Sequence, residues 1–498
     1  MSEVVAAILP ALSIFADGLT WVFFLLGFVM GLVFGAIPGL SGAVALALLI
    51  PVSWGMEPRQ GMVMFAGVMG AVAFGGAIPA ILLNVPGTAP NVATCFDGYP
   101  LSQKGKAGVA LGAAATASCL GATFGILWLV ILIPAVRLII MKVGPPETFV
   151  LILFGLFAIA LFVRGNTLKG VCAGGLGLLL AFVGFDPVTG ALRYNFGTMY
   201  LYDGIRPIPV IIGVFAISEA INLSIKGEAV AQVEISSKAS DVIEGVRSVF
   251  RHRITLLRSS AIGTGIGIIP GVGGTVACIM SWIAAAQSSP RKAFFGSGEV
   301  EGVIASEAAN DAKDGGALLP TIAFGIPGSA EMAVLLGAFI LHGLVPGPDL
   351  LSPGGLPLVW CLILSLFFSN ILVSSAGLLM ARHLAKLTMI RGNVIAPVIF
   401  CVCLLGAYSI HLSIYDAMLA LIFGFVGYLM TKYGFSRVTL VLGLVLGTKA
   451  ERNFHLSLMM SDVGGWIFLT RPIALVFVLV LVAVVLIPIL RRLKRGRL

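Results

Sequence analysis

Gly31-Leu-Val-Phe-Gly35-Ala-Ile-Pro38-Gly39-Leu-Ser41-Gly42 interrupts an apolar stretch near the start of the chain. Gly263-Thr-Gly-Ile-Gly267-Ile-Ile-Pro270-Gly271-Val-Gly273-Gly274 does the same near the middle. Gly31, Gly35, Pro38, Gly39 and Gly42 all recur at an offset of 232 residues. A second pair follows in the same order: Gly75-Gly76 leads to Asn84-Val-Pro86-Gly87-Thr88, and Gly315-Gly316 leads to Gly325-Ile-Pro327-Gly328-Ser329. A third, looser pair sets Asp97-Gly98-Tyr99-Pro100 against His342-Gly343-Leu344-Val345-Pro346. Three elements in one order identify two related halves.

The surroundings of these motifs are those of a membrane protein. The 498 residues are 59% hydrophobic and 11% charged, with a mean hydropathy of +1.07, where a soluble domain carries about 25% charged residues. Apolar spans cover 19–52, 61–90, 107–141, 147–163, 168–184 and 206–225, and resume at 256–286, 302–346, 354–381, 391–431, 437–447 and 466–490. At about 20 residues per span, roughly 10 to 14 crossings or half-crossings are expected, all helical. The predicted organisation is a first membrane repeat with following helices (1–225), a cytoplasmic connecting loop (226–258), a second repeat with following helices (259–490) and a basic tail (491–498).

A net charge of +9 would point to nucleic acid in a soluble chain. Here the basic residues sit in short loops and in Arg491-Arg492-Leu493-Lys494-Arg495-Gly496-Arg497, which fits a cytoplasmic C-terminus in a multi-pass inner-membrane protein and no nucleic-acid partner. Residues 1–30 carry no Lys or Arg, whereas 226–258 is rich in them; Lys104 and Lys106 follow the first repeat, and Pro346 to Gly355 follows the second with no basic residue. This bias swaps ends, as two halves inserted upside down to each other require. Seven cysteines without CxxC spacing read as small core residues. Met1 to Asp17 has no basic residue before its apolar part and does not read as a cleaved signal peptide.

Pro removes a backbone donor and clashes with the preceding turn, and Gly lets the chain reverse. Groups freed this way cannot face lipid, so each break is expected inside protein or along a polar cavity. A helix N-terminus inside the membrane attracts carboxylates, and unwound carbonyls can hold a small cation such as Na+. The candidate solute-binding residues are therefore Pro38, Gly39, Ser41, Asn84, Pro86, Gly87, Thr88, Asn91, Pro270, Gly271, Gly273, Pro327, Gly328 and Ser329, with Thr94 beside them. The alternative is that these breaks only kink helices or let them pack closely.

In Glu299-Val-Glu301-Gly-Val-Ile-Ala-Ser306-Glu307-Ala-Ala-Asn310-Asp311-Ala-Lys313-Asp314, a helix would put Glu307, Asp311 and Asp314 on one face. Such a face either couples ions, with Glu307, Asn310 and Asp311 as candidates, or is solvated at the membrane surface. Asp97 is a further ion-coupling candidate, with a capping or turn role as the alternative. His342, His383, His411 and His455 have no ligand spacing, and no metal site or cofactor is expected. Gly39-Leu40-Ser41-Gly42 looks like the G-x-S-G of rhomboid intramembrane proteases, but Gly273 holds the place of Ser41 in the second copy. A membrane enzyme and a passive anion channel are the competing classes. With no nucleotide-binding motif, energy would come from an ion gradient or a partner.

These residues resemble the large membrane subunit of the tripartite tricarboxylate transporters, through Gly35 to Gly42, Gly75 to Ala110, Gly263 to Gly274 and Phe295 to Leu350. The likeness runs over about residues 15 to 430. It implies a three-part system: a periplasmic solute-binding protein captures a tricarboxylate, dicarboxylate or aromatic carboxylate, and this subunit with a small four-helix membrane subunit imports it on a Na+ or H+ gradient. Two departures stand out. The family pattern reads A-P-E and then A-N-N, and here Ser306 replaces the Pro and Asp311 the second Asn.

Cells carrying Ser41→Ala should retain solute uptake, reduced at most by the loss of one candidate hydroxyl contact, and retained activity would remove the nucleophile of the enzyme reading. A hydrolytic activity that the variant loses while uptake persists would restore it.

Overall fold

In the computed structural model the residues described are Val4 and 6–140, 142–162, 167–226, 239–387, 392–462 and 464–482. The predicted basic tail and the first part of the connecting loop, 227–238, lie outside them.

The first break forms where its sequence requires. Helix α1 (Gly18–Ala36) starts at Asp17, whose carboxylate accepts from the Leu19 N–H at 3.1 Å. It stops before Pro38-Gly39, where Gly39 takes φ +87°, and α2 (Gly42–Val52) resumes from Ser41. Helix α3 (Pro58–Leu83) ends on Asn84 in the left-handed region at φ +58°, and α4 (Val92–Gln103) follows a short turn. The long α5 (Ala107–Ile140), α6 (Pro145–Phe162), α7 (Thr167–Ala181), a two-strand hairpin (β1 Gly184–Phe185, β2 Leu192–Arg193) and α8 (Pro207–Ile225) complete the first half. In the predicted connecting loop, α9 (Ala239–Arg251) is a helix packed on α5.

The second half runs through the same series. Helix α10 (Arg253–Ile268) breaks at Gly271, φ +78°, into α11 (Gly273–Ser288). Helix α12 (Val300–Phe324) ends on Gly325, φ +69°, before α13 (Ala330–Leu341). Then come α14 (Leu356–Leu387), α15 (Gly392–His411), α16 (Ile414–Tyr433) and α17 (Arg437–Met459). Asn84 and Gly325 thus do the same work: each is the left-handed residue that stops its helix.

The halves interlock reciprocally. Within each half the first broken helix lies along the second, α1 on α3 and α10 on α12. Between halves α14 packs on α3 and α5 on α12, while α17 lies on α6 and α7 and α8 lies on α15 and α16. The close approaches repeat too: a side chain at Gly31 would strike the Val68 carbonyl, and one at Gly263 the Ala309 carbonyl. Gly75 sits against Leu32 and Gly35, and Gly316 against Thr264 and Gly267. This register pairs Gly75 with Gly316, one residue from the alignment of Gly75-Gly76 with Gly315-Gly316, and it also pairs Pro79 with Pro320. The looser third pairing is not matched in structure, because Asp97 lies inside α4 whereas His342 follows the end of α13.

Among the described residues seven helices are long and apolar enough to cross a membrane, and eight if the bent pair 464–470 and 472–482 is one span. The fold is an all-α polytopic membrane protein. The expected spans 19–52, 256–286 and 302–346 are each two helices, and 391–431 divides at Leu412, φ +50°. Helix α3 is 94% buried over its most apolar window. Helix α12, too charged to qualify as a span by composition, is buried continuously from Glu301 to Ala323.

Small residues set how closely α5 and α12 approach: Gly121 faces Ala308, Gly125 faces Ala312, and Gly315 meets the Gly125 backbone. Gly315→Val should destabilise the fold by at least the ~1–3 kcal/mol of overpacking. Thermal unfolding in detergent checks this, and an unchanged midpoint would mean that the two helices can separate freely.

Candidate functional site

Helix α12 starts where a carboxylate from the other half receives it. Asp97 on α4 is fully buried, and its Oδ1 accepts from the N–H groups of Gly296 (2.8 Å), Gly298 (3.0 Å) and Glu299 (2.9 Å). The Trp282 indole donates to Oδ2 at 2.7 Å. A negative charge at a helix N-terminus that satisfies free N–H groups is stabilising. The geometry therefore favours the capping role over ion coupling for Asp97. Glu301, the second residue of the helix, accepts from Thr255 (2.5 Å) and Ser289 (2.6 Å).

In mid-helix the expected face exists, and it is not solvated: Glu307, Asp311 and Asp314 are 0%, 2% and 6% exposed. Glu307 Oε1 accepts from Thr94 and, at 3.2 Å, from Asn91 Nδ2; Oε2 accepts from Ser118 on α5 at 3.3 Å. Asn91 also donates to the Ala73 carbonyl at 3.2 Å, and Thr88 donates to Asn91 Oδ1. The polar residues after the first Asn-Val-Pro-Gly break thus hold a carboxylate from the second half.

One turn further, Lys313 Nζ donates to Asp314 at 2.7 Å, with both side chains buried. They border a small cavity of about 10 Å³ that is completed by Met69, Val72, Ala73, Thr88, Pro90, Asn310 and Glu331. That volume is close to the minimum for one water. The cavity is where the breaks converge. Gly87 is held against Gly35, and Gly328 against Gly267 and Ala317. Gly42, at the start of α2, lies beside Glu331; Gly274, at the start of α11, lies beside Lys313 and Pro90. Ser329 caps α13 by accepting from the Met332 N–H at 3.3 Å.

The predicted residues divide accordingly. Thr88 borders the cavity, and Asn91 lies one hydrogen bond behind it. Gly87, Gly328, Ser329, Pro86 and Pro327 shape the two breaks whose following residues, Thr88, Pro90 and Glu331, line it, whereas Gly39 lies against Leu223, Gly271 against Ile159 and Gly273 in open space, and neither they nor Pro38 and Pro270 border it. Asn84 is exposed and serves as a helix stop, not as a donor. Ser41 starts α2 without a capping hydrogen bond from its hydroxyl. His342 pairs with Ser53 Oγ at 3.1 Å and His411 with Asp416 at 2.7 Å, both away from the cavity. Lys313, Glu331 and Ser118 are not among the expected site residues, and Asp314 is expected on the acidic face without being named as an ion-coupling candidate. For Lys313 and Asp314 the available signal was an ionisable pair inside an apolar stretch.

The polar face belongs to one half only. In the register that pairs Gly75 with Gly316, the places of Glu307, Asn310, Asp311, Lys313 and Asp314 are held in α3 by Ala66, Met69, Gly70, Val72 and Ala73. The same helix geometry forms without any of these charges.

The family model described as the tripartite tricarboxylate transporter TctA family matches residues 21–442. An uncharacterized 52.8 kDa protein in the TAR-I ttuC' 3' region of Agrobacterium vitis is 32% identical over 481 residues, covering 96% of this chain and 94% of that protein. An uncharacterized protein in the TAR-II ttuC' 3' region of the same organism is 32% identical over 212 residues, 43% of this chain and 87% of that protein. No solved structure matches the chain.

Asp97→Asn should lower stability by about 1.5–3 kcal/mol, the worth of hydrogen bonds to a charged group. Unfolding of the purified protein measures this. A variant of native stability with altered cation dependence would return Asp97 to the ion pathway.

Proposed function

The chain belongs to the tripartite tricarboxylate transporter TctA family, and on that premise we propose that it is the large membrane subunit that imports a small organic carboxylate through the centre of its four helix breaks. The observation that carries this is their convergence on one buried cavity lined by Lys313. Lys313 and the nearby starts of α11 and α13 supply positive potential, and Asn310, whose Nδ2 has no hydrogen-bond partner, supplies a neutral donor. A carboxylate entering this centre competes with Asp314 and Glu331 for Lys313. Tricarboxylates, dicarboxylates and aromatic carboxylates all offer the group required.

A cavity of about 10 Å³ is far below the ~300 Å³ or more of a ligand pocket, so solute enters only after the centre opens. Closure at the centre supports a carrier over a passive channel. Reciprocal packing of the halves supports a two-fold relation, and the swapped Lys/Arg bias supports an inverted one. The excess of buried carboxylates over Lys313 supports coupling to a Na+ or H+ gradient, with no cofactor. In this scheme a periplasmic solute-binding protein delivers the carboxylate, a small four-helix membrane subunit completes the carrier, and the C-terminus of this inner-membrane chain is cytoplasmic.

Proteoliposomes holding both membrane subunits, supplied with the binding protein and an inward cation gradient, should accumulate a labelled carboxylate. Pro86→Ala or Gly328→Leu should reduce uptake by about tenfold or more while insertion persists. Failure to accumulate any tricarboxylate, dicarboxylate or aromatic carboxylate with every component present would sink the proposal.

A further inference from the structure

Asp311 differs from every other carboxylate of α12. Glu301, Glu307 and Asp314 are each met by named donors, whereas Asp311 is 2% exposed and neither Oδ1 nor Oδ2 has a hydrogen-bond partner. The neighbouring Asn310 is 1% exposed and its Nδ2 is also unpartnered. A carboxylate removed from water without donors persists only if something neutralises it.

The charged and titratable groups around Asp311 are few. On its own helix they are Glu307, Asp314 and Lys313. From α5 it is faced by the Ser118 hydroxyl and the Cys119 thiol, and from α11 by the Cys278 thiol. Lys313 is already hydrogen-bonded to Asp314. The Ser118 hydroxyl donates its one proton to Glu307 Oε2 at 3.3 Å, which leaves its oxygen free to act as a ligand. Oxygen ligands with excess negative charge suit a hard cation or a proton. Asp311 does not border the solute cavity, but Asn310 does.

We propose that Asp311, Ser118 and Glu307 form a monovalent-cation site at the α5–α12 contact, one residue behind the solute cavity and joined to it through Asn310. The ligand is Na+ or a proton, both of which neutralise the unpaired carboxylate. Occupied, the site relieves repulsion among Glu307, Asp311 and Asp314 and favours a second negative charge, that of the solute, beside Lys313. Empty, it disfavours that charge. This inference rests on the cation-driven import proposed above.

The test compares the complete three-part system with Asp311→Asn and Ser118→Ala, measuring uptake under an inward Na+ gradient and, separately, an inward pH gradient. If Na+ drives the wild type, Asp311→Asn should raise the half-saturating Na+ concentration by about tenfold or more. If protons drive it, the variant's uptake should lose its pH dependence. Ser118→Ala should shift the same quantity in the same direction by less, and it decides the matter alone if Asp311→Asn does not insert. Wild-type cation dependence in the variants overturns the site and leaves the carrier intact. Wild-type accumulation with neither gradient overturns the cation-driven import itself.

Discussion

A broken helix in an apolar environment leaves backbone N–H and C=O groups that lipid cannot satisfy. That constraint organises this molecule. The break at Gly325–Ser329 is buried and the other three are partly so, with Gly39, Asn84 and Ile269 exposed; glycines allow the contacts where one backbone must touch another: Gly87 against Gly35, Gly328 against Gly267, Gly75 against Leu32 and Gly316 against Thr264. Because the breaks shelter one another, they cannot be dispersed through the fold.

What the site does depends on charge, and the charge is not duplicated. Helices α3 and α12 end in the same left-handed stop and pack in the same register. Yet α3 presents Ala66, Gly70 and Ala73 where α12 presents Glu307, Asp311 and Asp314. Helix α3 shows that the helix and its stop form without any of these groups. The first half supplies instead the donors that hold Glu307, through Asn91 and Thr94 after its own break. The site is thus assembled from both halves, with acceptors from one and donors from the other.

Asp97 shows the opposite case, a buried carboxylate whose position is explained by structure. Three backbone N–H groups and an indole surround it, and together they tie α4 of the first half to the start of α12 in the second. Asp311 has no such company. The contrast between a fully answered and an unanswered carboxylate on neighbouring elements is one that burial alone does not reveal.

The duplicated Pro-Gly motifs, the apolar composition and the spacing of Glu307, Asp311 and Asp314 were all legible along the chain, because backbone breaks and helical faces are local properties. The membrane class, the two related halves and the places of the breaks are determined at that level. Partners across the fold are not. Nothing local told a solvated acidic helix from one buried end to end, or told Asn84 as a helix stop from Asn91 as a donor to Glu307. Nor did it reveal that Lys313 meets the break of the other half at Pro90. Those outcomes depend on which helices press together, and that was decided only in three dimensions, by the closeness that the glycines of α1, α5, α10 and α12 allow.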